Sequence, residues 1–505
     1  MPYVLAVAVL AGMTAAGHLL IRAGGMRWML SAPADLALAF LVGAGATSLV
    51  TYWASLLMPA WALWLGLGLL AAALAWALGL GGLHAGRYLR YVGSVRRDRP
   101  PGGRLAPSDR KLARGRWWAY PLAALALADA LLVLREIVRS DPGWDGLFVW
   151  GIKARYFFAT GGVPQTYFSD LSRDWSHIDY PFLLPVSEAL VYRAAGVADE
   201  RLIMVVIAAF FISMLVLLHE LVRFWRGEGM ALVAILVLLT IPALWSFAGQ
   251  GMADLPLAVF VLAGGGLVAT WLERPGSLRQ LVLGALLLAM AVWVKREGLM
   301  AWAAAGVAVG VWALMASVRA RRLAWRPVAG YLAPVLVLVP WLADLALHHV
   351  VDRNYARLSL GWLVQHGHRL PVLAHALLAE LTRLPNWGLA WVLVAAALVL
   401  SPPLRSSARG FLLWVVAAHL LSLPLIYTFS TWVPYTDHVA SSIDRLVFQV
   451  LPLALLLLAL SIPRLAGRPA AWQPAPAAEA ARPGASDARV GSTATAPDNL
   501  GRSSS

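Results

Sequence analysis

Thirteen apolar runs, most of them long enough to cross a bilayer as a helix, dictate what this chain can become. They lie at 3–22, 34–57, 60–83, 117–138, 199–222, 229–247, 255–272, 279–294, 299–317, 328–347, 386–401, 410–427 and 446–462. A helix rises 1.5 Å per residue, so about 20 residues cover roughly 30 Å of hydrocarbon. Within hydrocarbon every backbone N–H and C=O must be satisfied inside the segment, which leaves the helix as the structure for such runs. The chain is 60% hydrophobic and 13% charged, against about a quarter charged for soluble domains. The sequence therefore predicts an all-α polytopic membrane protein with about 13 transmembrane helices, within a range of about 11–14. Segment 181–196, "PFLLPVSEALVYRAAG", is short and Pro-interrupted and is expected as a re-entrant or interfacial helix on the outer face.

The +15 net charge is not a nucleic-acid signal in such a chain, because basic residues of membrane proteins collect in cytoplasmic loops. With no cysteine, disulfides and thiolate metal sites are excluded. The N-terminus lacks a basic flank and a small-residue cleavage site and is expected as a retained span. Residues 84–116 carry ten Lys/Arg against Asp98 and Asp109, so this loop is expected in the cytoplasm. Counting spans onward gives further Arg-bearing inside loops. The outside segments are then 139–198, 248–254, 295–298, 348–385 and 428–445. The expected organisation is three N-terminal helices (1–83), the basic loop (84–116), a main membrane region (117–462) with outer loop 139–198, and a disordered cytoplasmic tail (463–505) rich in Ala, Pro, Ser and Gly.

Nearly all unusual polar residues fall in those outside segments. The first holds Asp141, Asp145, Lys153, Arg155, His177, Asp179 and Tyr180. Asp254 opens a span, Lys295-Arg296-Glu297 fill a turn with almost no loop, and His438, Asp444 and Arg445 lead into the last span. Charges at membrane depth are costly unless paired or functional. Of 41 basic residues only Lys111, Lys153 and Lys295 are lysine, so two lysines on the outer face suit a compact cation for an anionic ligand. Each residue also has a plainer reading. Asp141, Asp145 and Asp254 are good helix caps, and Lys295–Glu297 fits a snorkelling cluster. His177 fits a solvated loop and Arg445 an interfacial anchor. The stripe Trp144, Trp150, Phe157 and Phe158 fits an amphipathic helix lying on the membrane. The convergence of five outer segments favours a site.

The ordered motifs "WDGLFVWGIKARYFFATGGVP", "HIDYPFLLPVSEALVYRAAG", "ERL", "MADLPLAVF", "VKREG" and "DRLVFQVLPL" resemble the GT-C class of membrane glycosyltransferases, which includes protein O-mannosyltransferases and aminoarabinose transferases. The likeness covers roughly 117–460. Gly146 stands where that class commonly has a Glu after the Asp, leaving Asp141 as the nearby second acid. The resemblance implies sugar transfer from a polyprenyl-phosphate-linked donor to an acceptor hydroxyl of an envelope glycan, lipid or protein. Transfer would invert the anomeric carbon, at the extracytoplasmic face of the inner membrane. Asp145 is then the expected general base. Lys295 and Arg445 are expected to hold the leaving phosphate, with Lys153 and Arg296 as further candidates. Asp254 and Asp179 would orient the acceptor or hold a divalent cation, a choice the sequence leaves open. The alternatives are a lipid-linked saccharide flippase or transporter, which needs mid-span charges and broken helices, and a polysaccharide polymerase or ligase.

Overall fold

The computed structural model describes residues 1–25, 31–97, 118–401 and 406–463. The expected tail, most of the expected basic loop and residues 402–405 lie outside the described residues. The helix that begins at Ala62 runs on to Arg97, so the first part of the expected loop 84–116 is helical backbone. Among the described residues the fold is all-α, with one isolated β-bridge between Tyr355 and Ser430.

Each of the thirteen apolar runs falls on helix, but not every helix is a span. Among the described residues eight helices are long and apolar enough to cross a membrane, or ten if two bent pairs each count as one. This is a helical membrane protein with fewer clear spans than the expected thirteen. Three runs account for the difference. Helices Leu278–Val294 and Ala390–Leu400 are short, at 17 and 11 residues. Helix Ala119–Arg139 carries Asp129, Arg135 and Glu136 inside its length. The bent pairs are Glu228–Leu239 with Pro242–Gly249, at 67°, and Tyr435–Phe448 with Leu451–Ser461, at 48°. Pro242 and Pro452 sit at the start of each second helix, where the ring ends one hydrogen-bond ladder and opens the next.

Helix Asp254–Glu273 is the hub. It is buried on all sides, as an apolar surface without a polar stripe demands, and packs on Arg201–Arg226, Leu278–Val294, Ser407–Thr428 and Leu451–Ser461. A short turn joins it to Leu278–Val294, and the two helices run antiparallel. Hairpin geometry therefore brings Asp254, at the start of one, beside Lys295, at the end of the other. Segment 181–196 forms helix Leu183–Ala195, buried against its neighbours for most of its length rather than lying free at a surface.

The N-terminal helices are built into the same body. Helix Ala32–Leu57 packs on Leu183–Ala195 and Arg201–Arg226. The Trp293 indole donates to Ser48 Oγ at 2.9 Å, and Tyr52 donates to the Asp344 carboxylate. Helix Pro2–Ala23 crosses Ala32–Leu57 backbone to backbone, since a Cβ on Gly17 would lie 1.8 Å from the Ala39 carbonyl oxygen. In lipid, where apolar surface gives helices no reason to prefer each other over acyl chains, such close approach supplies the association energy. Gly17→Leu is expected to cost at least about 1–3 kcal/mol by overpacking. Gly310→Leu, with nothing within 4 Å of its Cβ position, is expected to be neutral. Thermal unfolding of the two variants in detergent checks this.

Candidate active site

The centre of the cluster is a buried carboxylate with two donors on one oxygen. Lys295 Nζ donates to Asp254 Oδ1 at 2.8 Å and Gln449 Nε2 to the same atom at 2.7 Å. Lys295 also lies 3.2 Å from Glu297 Oε1. Burial works against the Lys295 charge, but the Asp254 and Glu297 carboxylates outweigh it and hold the ammonium above its ordinary range. This is not a snorkelling cluster: Lys295 is 5% exposed and points inward. Asp254 sits in the first turn of its helix with no side-chain cap, its carboxylate committed across the chain instead.

Asp145 is ion-paired to Arg445 Nη1, a contact between residues 300 positions apart. Its side chain makes no helix cap either. Asp145 precedes a π-helical turn, Gly146–Gly151, that leads into helix Ile152–Thr160. Such turns re-aim side chains and recur at functional positions. Gly146 is explained by its surroundings. A Cβ there would lie 2.2 Å from the Gln250 carbonyl oxygen, so this site has no room for a second acid after Asp145.

A second layer closes over this pair. Arg296 joins Asp179 through Nη1 and Asp352 through Nη2, the latter at 2.7 Å. Arg353 pairs with Asp174. The 350–356 segment is stitched in turn to the end of helix Ser407–Thr428. Ala356 N–H donates to Phe429 O at 2.8 Å, Thr431 N–H to Asn354 O at 3.0 Å, and the Trp432 indole to Asn354 Oδ1 at 3.0 Å. His438 stacks on Trp432 at 4.7 Å and shares a 2.9 Å hydrogen bond with Ser430 Oγ.

Lys153 is buried, donating to the Ser176 carbonyl at 2.7 Å and lying 5.2 and 5.4 Å from the Trp150 and Tyr180 ring centroids. Those rings stack at 5.4 Å, and Tyr180 stacks on His177 at 4.6 Å. Lys153 thus fastens the Leu171–Ser176 turn to the Asp145 helix instead of standing open to a ligand. Burial pulls its pKa down to about 7, with Asp179, Glu188 and Asp145 opposing. Burial pushes the Asp179 carboxyl up, with Arg296 opposing. Glu188 is buried, with neither oxygen hydrogen-bonded, and burial raises it well above the ordinary carboxylate range.

The sequence-expected residues thus divide. Asp145, Arg445, Asp254, Lys295, Glu297, Arg296 and Asp179 form one charge network, with Lys153, His177, Tyr180 and His438 packed beside it. Asp444 is half-buried, its Oδ1 accepting from the Arg445 N–H at 2.8 Å. Asp141 and Arg155 stand apart on the surface, the first 3.3 Å from Arg201 and the second paired with Glu200. The aromatic stripe splits, because Trp150 and Phe157 are core and Phe158 is half-buried, while Trp144 remains exposed beside Phe148. Gln449, Asp352 and Glu188 were not singled out from the sequence. Gln449 had a signal, being a polar residue one helical turn after Arg445 in an otherwise apolar stretch. An apolar groove of about 310 Å³, lined by Val372, Leu373, Val439 and Ile443, faces the side of helix Tyr435–Phe448 opposite Arg445 and takes no part in the cluster. Among the described residues no group of three or more His, Asp or Glu is arranged to hold a metal ion.

The chain is similar in structure to ArnT. The crystal structure of ArnT from Cupriavidus metallidurans bound to undecaprenyl phosphate matches at 16% identity and a TM-score of 0.45, covering 68% of this chain and 60% of that one. The apo structure matches at 15% and 0.46, covering 69% and 60%. The match therefore spans less than two thirds of the ArnT chain. No family model and no curated sequence matches.

The Lys153 environment makes a pH prediction. Its folded pKa lies near 7 and its ordinary value at 10.5, so between these the unfolded chain binds a proton that the folded protein has released. Stability rises with pH wherever the unfolded state binds more protons. Thermal stability in detergent should therefore climb from pH 7 toward about pH 10 through this group. Lys153→Met should flatten that part of the curve. An unchanged slope in the variant would show that the buried ammonium carries no such cost.

Proposed function

We infer that this chain is a GT-C-type membrane glycosyltransferase. In this reading it moves a sugar from a polyprenyl-phosphate-linked donor to an acceptor hydroxyl at the extracytoplasmic face, with inversion. The observation that carries the reading is the juxtaposition of Asp145 with Arg445, next to the buried Asp254–Lys295 pair. Such a transfer needs a carboxylate to accept the hydroxyl proton and cations to take the charge that develops on the leaving phosphate. The acceptor oxygen forms its bond to the anomeric carbon as the bond to the phosphate oxygen breaks. The proton passes to Asp145, and the electron pair leaves on the phosphate, facing Arg445 and Lys295. Because the leaving group is a stable anion, it needs charge stabilisation more than a proton. Arg296, fixed between Asp179 and Asp352, and Lys153, under the Trp150–Tyr180 stack, shape the wall around these groups and are not open phosphate ligands. Asp254 is held by Lys295 and Gln449 and serves to position that lysine.

Transport of a lipid-linked saccharide is the second reading. The two broken helix pairs favour it, since discontinuous helices recur at transporter binding sites. A liposome assay for movement of lipid-linked sugar, run beside a transfer assay, separates them.

Asp145→Asn keeps size and removes the proton-accepting charge. Transfer from polyprenyl-phosphate sugars is expected to fall by about two to four orders of magnitude, with thermal stability largely kept. Near-normal transfer by this variant removes Asp145 from the role of base. For sidedness, the cysteine-free background allows single probes. Ser169→Cys and Ser441→Cys should react with an impermeant thiol reagent from outside, and Ser277→Cys, at the far end of the Asp254 hairpin, should not. Labelling of Ser277→Cys alone would invert the assignment.

A further inference from the structure

We propose that in the ligand-free protein Asp145 occupies the place of the donor phosphate on Arg445, so that donor binding exchanges this ion pair and frees the Asp145 carboxylate. This rests on the function proposed above and adds an order of events to it: donor first, base released second.

Three features of the cluster point to exchange at this pair. The first is charge. Asp145, Asp179, Asp254, Glu297 and Asp352 make their close ion pairs with Lys295, Arg296 and Arg445. His177 lies 3.9 Å from Asp179, and Lys153, which Asp145, Asp179 and the further acid Glu188 all face, is spent on the Ser176 carbonyl. An added anion meets a surplus of carboxylates, and it gains a cation only by taking one from an acid already there. The second is how firmly each cation is held. Lys295 has two carboxylates, one of them fixed further by Gln449, and Arg296 has two. Arg445 has one, through Nη1 alone, and Asp145 is the most exposed acid of the set, with 26% of its side chain open against 1% for Asp254.

The third is an unused donor. Arg445 Nη2 is turned to the Ser441 carbonyl at 3.2 Å, while Nε is buried with no hydrogen-bond partner. A guanidinium presents donors in a planar fork that two oxygens of one phosphate can fill together, and a buried donor left empty is costly. Nε shares its edge with Nη2 rather than Nη1, so the phosphate that replaces Asp145 sits end-on, on Nη1 and the second N–H of Nη2, whereas Asp145 fills only Nη1. As long as Oδ2 of Asp145 is bonded to Arg445, that lone pair is not available to take the acceptor's proton. Exchange makes the base available only when there is a sugar to transfer.

The test measures binding of geranylgeranyl phosphate to the purified full-length protein in detergent. Asp145→Asn removes the competing carboxylate and should bind the probe about tenfold tighter than wild type, the size of one charge-assisted hydrogen bond, while losing transfer. Asp145→Glu keeps a carboxylate and should not tighten binding. Arg445→Gln should weaken binding at least about tenfold, and Asp145→Asn should bring no gain in that background. Thermal unfolding run beside each titration identifies a variant that has merely lost its fold, and Asp145→Ser then replaces Asp145→Asn. If Arg445→Gln weakens binding but Asp145→Asn binds no tighter than wild type, the exchange is wrong and the proposed function stands. If wild type does not bind the probe, or Arg445→Gln leaves binding unchanged, both are wrong.

Discussion

The buried contact of Lys295 and Gln449 with a single oxygen of Asp254 is the constraint on which the rest of the site depends. Taking a carboxylate and an ammonium out of water costs several kcal/mol each, recovered only with close pairing and further hydrogen bonds. The pair therefore fixes the relative position of three elements at once: the hub helix, the end of its hairpin partner, and the break in the last helix pair. Removing one member alone would leave an unpaired buried charge, at a cost of about 3–5 kcal/mol. With these ends fixed, Arg445 lies one turn before Gln449, on the face that meets Asp145.

The outer layer adds precision of a different kind. Arg296, between Asp179 and Asp352, ties the turn after the hairpin to two segments that have no regular structure of their own. Lys153 does the same for the Leu171–Ser176 turn, using one carbonyl and two aromatic rings. Loops cannot be held by apolar packing alone when they meet water, so ion pairs and ring stacks take over there. The apolar helices supply the scaffold, and the charges supply the register of everything attached to its end.

Some buried polar atoms of the site itself lack hydrogen-bond partners. Arg445 Nε, Glu297 Oε2 and Gln449 Oε1 are buried without partners, and Glu188 has neither oxygen bonded. Most buried polar atoms in folded proteins are paired, and exceptions call for a reason. Three of these four belong to the Asp145–Arg445 and Asp254–Lys295 cluster.

By itself the sequence determined the helical membrane scaffold and the set of polar segments, because hydrocarbon admits few backbone solutions and charges stand out against apolar runs. It placed Asp145, Asp254, Lys295 and Arg445 among the candidates on the strength of ordered motifs. Only the tertiary structure decided their partners. Asp145 meets Arg445 across 300 residues, and no local periodicity reports such a pairing. The structure also decided where each helix begins, ends and bends, because the 67° and 48° bends depend on packing as well as on Pro242 and Pro452. The glycine after Asp145 shows the same division. The sequence showed that a second acid was missing, and the Gln250 carbonyl, brought close by packing, gives the reason that none fits.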